Sequence, residues 1–331
     1  MTARWFAVVT SAVIAGAGLV ATAPAASAAD DYDVTVTLSP SPHVDDNIVV
    51  SGKVTEKGST NGVSGAAVTV TRTDPSVTGA ALPLTTTGSD GSYTVTDPMP
   101  AVRGTVTYAV HAAMATLSGD GSASTYVHRI PTTLTIEPGR TIKLFGRSVR
   151  VTAHLGTTFT NRAVTITARR YDGITRTISS GDVDATTGNR SATYTMRMRT
   201  RFTARFAGDD KYAPAAAYAV VRARAVLTER LRGYYASANG YRIYHPGDSP
   251  ELDARLWPHL HRVCLYFRAQ YHSGGRWHNA SLSPCVRTDA EARAAALLNN
   301  ALSLPYRLRT EWRGNVYALA NHGPWLRLRF H

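Results

Sequence analysis

From Arg201 to Tyr212 the chain reads Arg-Phe-Thr-Ala-Arg-Phe-Ala-Gly-Asp-Asp-Lys-Tyr. Phe202, Ala204 and Phe206 alternate with Arg201, Thr203 and Arg205. A two-residue period puts the apolar groups on one face of a strand and the charges on the other, which excludes a helix here. Gly208-Asp209-Asp210 supplies a turn, and Tyr218, Val220 and Arg222 continue as a returning strand. The arrangement recurs where Tyr306, Leu308, Thr310 and Trp312 alternate with Arg307, Arg309 and Glu311 ahead of Gly314-Asn315. A weaker copy lies at Tyr108-Ala109-Val110-His111-Ala112. Three terminal hairpins at near-constant spacing indicate three copies of one small β domain.

The remaining strands follow the same order. In the first copy, Asp33–Leu38, Ile48–Val54 and Ala67–Thr71 are rich in β-branched residues, and Ser89-Asp90-Gly91-Ser92 is a tight turn into Tyr93-Thr94-Val95. In the second, Thr132–Ile136, Val149–Ala153, Ala163–Ala168 and Ala192–Met198 precede the hairpin. The connection through Tyr126–Ile130 is too short for free tumbling, so a semi-rigid rod is expected. The third copy diverges. Tyr241–Tyr244 and Val263–Ala269 read as paired strands, with Gly274-Gly275 turning before Trp277. Thr288-Asp289-Ala290-Glu291 is a capping-box pattern that argues locally for helix over 289–300. Its position in the repeat argues for strand, which is the state expected.

At the N-terminus Arg4 precedes an apolar run from Trp5 to Val20, and the small residues after it end in Ala26-Ser27-Ala28. That order is a secretory signal peptide, with cleavage expected after Ala28. No second run of spanning length and no C-terminal hydrophobic anchor follows, so a soluble extracellular protein is expected, with no membrane span in the mature chain. Cys264 and Cys285 are the two cysteines, and in an exported chain such a lone pair is expected to form one disulfide. Closing that loop should stabilise the third domain by about 3 kcal/mol in the chain-entropy model.

Charge is unevenly placed. Residues 30–130 carry 10 acids and 5 bases, residues 131–225 carry 6 and 16, and residues 226–331 carry 7 and 14. Two of the three domains should therefore attract polyanions in a salt-dependent way.

The second copy, through Thr132-Thr133-Leu134-Thr135-Ile136 and Phe202–Pro214, resembles bacterial Ig-like repeat domains of exported proteins in high-GC Gram-positive bacteria. The first resembles them through Val50-Ser51-Gly52-Lys53-Val54, Gly65–Val70 and Gly88–Val95, although Ala113-Met114-Ala115 stands where Gly-Asp is usual. The third matches through Tyr306–Arg309, Arg313-Gly314-Asn315 and Trp325. The resemblance implies an all-β chain of three tandem Ig-like antiparallel sandwiches with a surface or extracellular role. Boundaries at 29–130, 131–225 and 226–331 follow from the spacing of the hairpins. It carries over no catalytic residue and no cofactor.

Several residue groups invite chemistry. His259 and His261 read as one strand face, with His272 and His278 in the next hairpin, but no carboxylate is spaced to complete a metal site. Asp45-Asp46 and Asp209-Asp210 could recruit Ca²⁺ or simply shape turns. Trp257, Trp277, Trp312 and Trp325 could line a sugar-binding or protease-blocking surface, or fill a small core. The arginines Arg197, Arg199, Arg201 and Arg205, with Arg169, Arg170, Arg222 and Arg224 nearby, make a stripe able to hold phosphate or sulfate bidentately. A solvated face in an arginine-biased composition accounts for the same stripe. The partners expected are an anionic cell-wall polymer, an acidic glycan or another surface protein. Poor aromatic interleaving beside the stripe argues against sequence-specific nucleic acid.

Overall fold

The computed structural model describes residues 30–98, 102–156, 162–299 and 301–331, all of it strand, turn and loop without helix. The signal-peptide reading lies outside the described residues. By contacts, the described chain forms two compact units: 30–40, 47–98 and 105–125 in one, and 41–46, 102–104 and 126–331 in the other.

The first unit is built from β1 (Tyr32–Val34), β2 (Thr37–Leu38), β3 (Ile48–Glu56), β4 (Ala67–Thr73), β5 (Ala80–Ala81), β6 (Thr85–Thr86), β7 (Ser92–Asp97), β8 (Gly104–Met114) and β9 (Leu117–Val127). β3 pairs with β1, β2 and β7, while β4 pairs with β5, β6 and β8, and β9 follows β8. Alternation along β3 and β4 sends Ile48, Val50, Val54, Val68 and Val70 inward at 1% exposure or less. The β8–β9 turn places Ala115 at φ 55°, the left-handed region that a glycine would occupy without strain.

The second sandwich comprises β10 (Leu134–Glu137), β11 (Ile142–Leu144), β12 (Ser148–Leu155), β13 (Ala163–Arg170), β14 (Thr175–Asp182), β15 (Asn189–Thr195), β16 (Thr200–Phe206) and β17 (Ala215–Arg224). One sheet runs β10-β12-β15 and the other β14-β13-β16-β17, with β11 crossing over to lie parallel to β17. With β11 left out of the count, three strands (first, second, fifth) against four (fourth, third, sixth, seventh) is the strand arrangement of an Ig-like sandwich. Between the sheets lie Val151, Leu155, Val164, Ile166, Met196, Phe202 and Val221, all at 0% exposure.

The third sandwich repeats that order with β18 (Val226–Arg232), β19 (Ala236–Ala238), β20 (Tyr241–Tyr244), β21 (Glu251–Trp257), β22 (Cys264–Ser273), β23 (Arg276–Leu282), β24 (Val286–Arg287), β25 (Arg293–Leu297), β26 (Tyr306–Gly314), β27 (Leu319–His322) and β28 (Leu326–Phe330). β18-β21-β25 faces β23-β22-β26-β28-β20, and Leu256, Leu265, Leu328 and Trp312 fill the space between. Arg293–Leu297 is strand, because β21 takes it as its second partner from Glu251↔Leu297 to Arg255↔Arg293. Two sequence readings are corrected. Tyr241–Tyr244 pairs with β28 and β19, not with β22. Glu251–Trp257, absent from that reading, is a central strand whose Leu252, Ala254 and Leu256 alternate inward.

The second and third sandwiches share one continuous sheet. β17 passes into β18 across the single residue Ala225, which is fully buried, and Arg224 pairs in parallel with Leu319 of β27. Asn321 Nδ2 donates to the Ala225 carbonyl at 2.7 Å, and the Arg199 N–H donates to the Tyr317 carbonyl at 2.7 Å.

Candidate anion-binding surface

Phe202, Ala204 and Phe206 of β16 pack inward, which forces Arg201 and Arg205 onto the outer face. The register then sets their neighbours. Arg201 lies directly opposite Arg169 of β13 and, on its other side, Val220 of β17. Its guanidinium sits 4.0 Å from the centre of the Tyr218 ring, and Tyr218 remains 65% exposed. Cation–π contact of this kind holds the guanidinium in one orientation while its donors stay free.

Arg197 and Arg199 do not belong to that strand, which corrects the reading of a single stripe. The strand begins at Thr200, and the preceding residues form a connection pinned by Met196 and Met198, both buried. The Met196 N–H donates to Arg147 O at 3.0 Å and the Tyr171 N–H, just past β13, donates to Arg199 O at 3.0 Å, so this connection is tied at one end to a neighbouring loop and at the other to the turn after β13. The four arginines consequently divide. Arg199 joins Arg169, Arg170 and Arg201 around a recess of about 320 Å³ floored by Tyr171, Tyr218 and Val220. Arg197 opens on a separate recess with Arg170, Arg176 and Tyr194. Arg205, opposite Ala216 and Thr165, borders neither.

Arg170 pairs with Asp172. Among the described residues no carboxylate forms an ion pair with Arg169, Arg199, Arg201 or Arg205. Like charges directly opposite each other across two strands are destabilising, so the Arg169–Arg201 pair costs stability that an anion bridging them would recover. Arg199 lies 5.3 Å from the Tyr171 ring centre, and Tyr171 in turn meets Tyr317 edge-on at 5.6 Å.

Three of the four acids in the two pairs are engaged by the structure. Asp209 Oδ1 accepts the N–H groups of Lys211 and Tyr212 at 2.9 and 2.7 Å, and Oδ2 meets Arg162 at 2.6 Å. Asp45 pairs with Lys211, and Asp46 accepts the His43 N–H at 2.7 Å. His259 and His261 fall in the loop after Pro258 instead of on a strand, because Pro258 ends β21. The described residues contain no cluster of three potential metal ligands.

In the third sandwich the Cys264 and Cys285 sulfurs are bonded, with Cα atoms 4.9 Å apart. The tryptophans separate into three environments. Trp312 is core, at 4% exposure. Trp257 packs tilted against His259, and its ring centre lies 5.5 Å from that of Phe145 of the second sandwich. Trp277 and Trp325 flank Arg307 on the outer face, at 4.5 and 4.3 Å from its guanidinium. Sequence reasoning did not anticipate that row of arginines, although the Arg307, Arg309 and Glu311 alternation was its signal.

Solved structures with a similar trace include a tetra-tandem repeat from the extending region of a large adhesion protein, at 16% identity and TM-score 0.46, covering 90% of this chain and 72% of that one. Two three-domain fragments of titin also align: an E-to-A variant at 11% identity and TM-score 0.35, and an I-band fragment at 12% and 0.34, covering 97% and 96% of those chains. No protein-family model and no curated protein matches the sequence.

Proposed function

We propose that this chain is an exported, non-enzymatic Ig-like repeat protein that acts as a spacer and binding module of the adhesion type. In this reading residues 1–28 direct export and are removed. Three domains over 29–130, 131–225 and 226–331 present loops and a basic face outside the cell. The partner is an anionic polymer of the cell envelope, held in the recess between Arg169, Arg199 and Arg201.

The observation that carries this reading is the cross-strand Arg169–Arg201 pair, which has no carboxylate partner among the described residues. Guanidiniums already held against Tyr218 and Tyr171 lose little freedom on binding. Binding to isolated cell walls tests it. Wild-type protein should be retained at low salt and released as ionic strength shortens the screening length. The doubly substituted Arg199→Ala, Arg201→Ala protein should be released earlier. Retention indifferent to salt and to both substitutions would remove the reading.

A further inference from the structure

The third sandwich carries a second charged row with a different chemistry. Register places Asn279 of β23 opposite Gln270 of β22, Gln270 opposite Arg307 of β26, Arg307 opposite Arg327 of β28, and Arg327 opposite Tyr241 of β20. The side chains confirm that all five share one face. Gln270 Nε2 donates to Asn279 Oδ1 at 2.8 Å, Arg307 Nε donates to Gln270 Oε1 at 2.7 Å, and the Arg327 guanidinium lies 5.9 Å from the Tyr241 ring centre. Five strands at ordinary spacing make this transverse row about 19 Å long.

The next row is its internal control. There Arg268 and Arg309 are also directly opposite, but both bond Glu311, at 2.6 and 2.7 Å. Those bonds, that of Arg268 first, hold the Glu311 carboxyl below its usual range. Arg307 and Arg327 face each other with no such acid among the described residues. Burial, with the charges of Arg327 and Arg309, pulls the Arg307 guanidinium below its ordinary value. The fold thus neutralises one cross-strand arginine pair and leaves its neighbour unpaired, at a cost in stability.

We infer that this row is a binding site for a carboxylated polysaccharide, one that alternates neutral and acidic sugar units. Two amides at one end offer donors and acceptors to hydroxyls. Two guanidiniums in the middle take a carboxylate bidentately. Trp277 and Trp325 both lie against the Arg307 guanidinium, and Tyr241 stands beside Arg327 at the far end. A uniform phosphodiester chain would leave the amide end without charge to meet. The site is separate from the recess of the second sandwich and does not depend on it.

The test is titration of the full chain with hyaluronan oligosaccharides, using polyphosphate and neutral dextran as comparison ligands. Arg327→Ala and Asn279→Ala alter exposed side chains, and circular dichroism checks that both variants keep the fold. Arg327→Ala should weaken hyaluronan binding by about tenfold, the loss of one charge-assisted contact. Asn279→Ala should weaken it by about threefold and leave polyphosphate unaffected. Arg201→Ala should leave hyaluronan binding at this row unchanged, which separates this site from that of the second sandwich. With the recess of the second sandwich removed by Arg199→Ala and Arg201→Ala, undiminished hyaluronan binding by Arg327→Ala, equal loss of both polyanions in Asn279→Ala, or polyphosphate binding as tight as hyaluronan binding overturns the inference.

Discussion

The Glu229 carboxylate accepts the backbone N–H of Thr310 at 2.5 Å, deep between β18 and β26 of the third sandwich. Gly323 lies so close that a Cβ there would fall 2.1 Å from the carboxyl carbon. Burial pushes the Glu229 carboxyl up to about 7 from an ordinary 4.5. A raised folded-state value means that the protonated form is favoured in the fold. Its contribution is fully present below about pH 4.5 and is lost as pH rises through about 7. The difference corresponds to roughly 3 kcal/mol. Glu229→Gln should therefore match wild type in acid and exceed it above pH 7, as read by urea unfolding. All tryptophans after Trp5 lie in the third sandwich, so their fluorescence reports this transition directly. Equal pH slopes for the two proteins would contradict the assignment.

Asn321 ties the two shared-sheet sandwiches together through the buried carbonyl of Ala225. Asn321→Ala leaves that carbonyl without its donor, and a buried unsatisfied group costs about 1–3 kcal/mol. The urea midpoint followed by tryptophan fluorescence should fall accordingly. An unchanged midpoint would mean that the bond contributes nothing to the junction.

Asp97 is 1% exposed, and its carboxylate receives Arg72 Nη1 at 3.0 Å and the Tyr108 hydroxyl at 2.8 Å. Asp97→Ala leaves Arg72 with Asp74 as its remaining acid at 3.0 Å and strands the Tyr108 hydroxyl inside the first unit, a loss of about 1–3 kcal/mol. Hydrogen exchange should show β4 and β8 losing protection, whereas substitution of exposed Asp120 should leave both strands protected.

Joining Cys264 to Cys285 closes a loop of sequence separation 21. The double Cys264→Ala, Cys285→Ala variant should lose about 3 kcal/mol. Reduction of the wild-type protein should lower the fluorescence-detected midpoint by the same amount, and no effect of either treatment would contradict the loop-closure account.

Much of the strand content was legible because alternation is a local signal. Phe202, Ala204 and Phe206 pointed inward as their spacing required, and Arg201 and Arg205 outward. Register is not local. Nothing in the spacing of Arg169 and Arg201 announced that they would stand opposite one another, nor that Arg307 would face Arg327. Arg197 and Arg199 keep the odd-numbered rhythm after β15 has ended at Thr195 and before β16 begins at Thr200, so periodicity alone extended the strand too far. Glu229 sits among Thr228 and Arg230 and reads as an exposed position. Its burial comes from Gly323 and Thr310, roughly a quarter of the chain away. The sharing of a sheet through Ala225 and Leu319 likewise depends on contacts far apart in sequence.

The most direct test of the arginine surface is the salt dependence of binding to purified anionic wall polymer, measured for wild type and for the Arg199→Ala, Arg201→Ala protein. Each lost guanidinium contact releases fewer counterions, so the slope of log affinity against log salt should be shallower by roughly 1.5 in the variant. Identical slopes for the two proteins would contradict the assignment of that recess to polyanion binding.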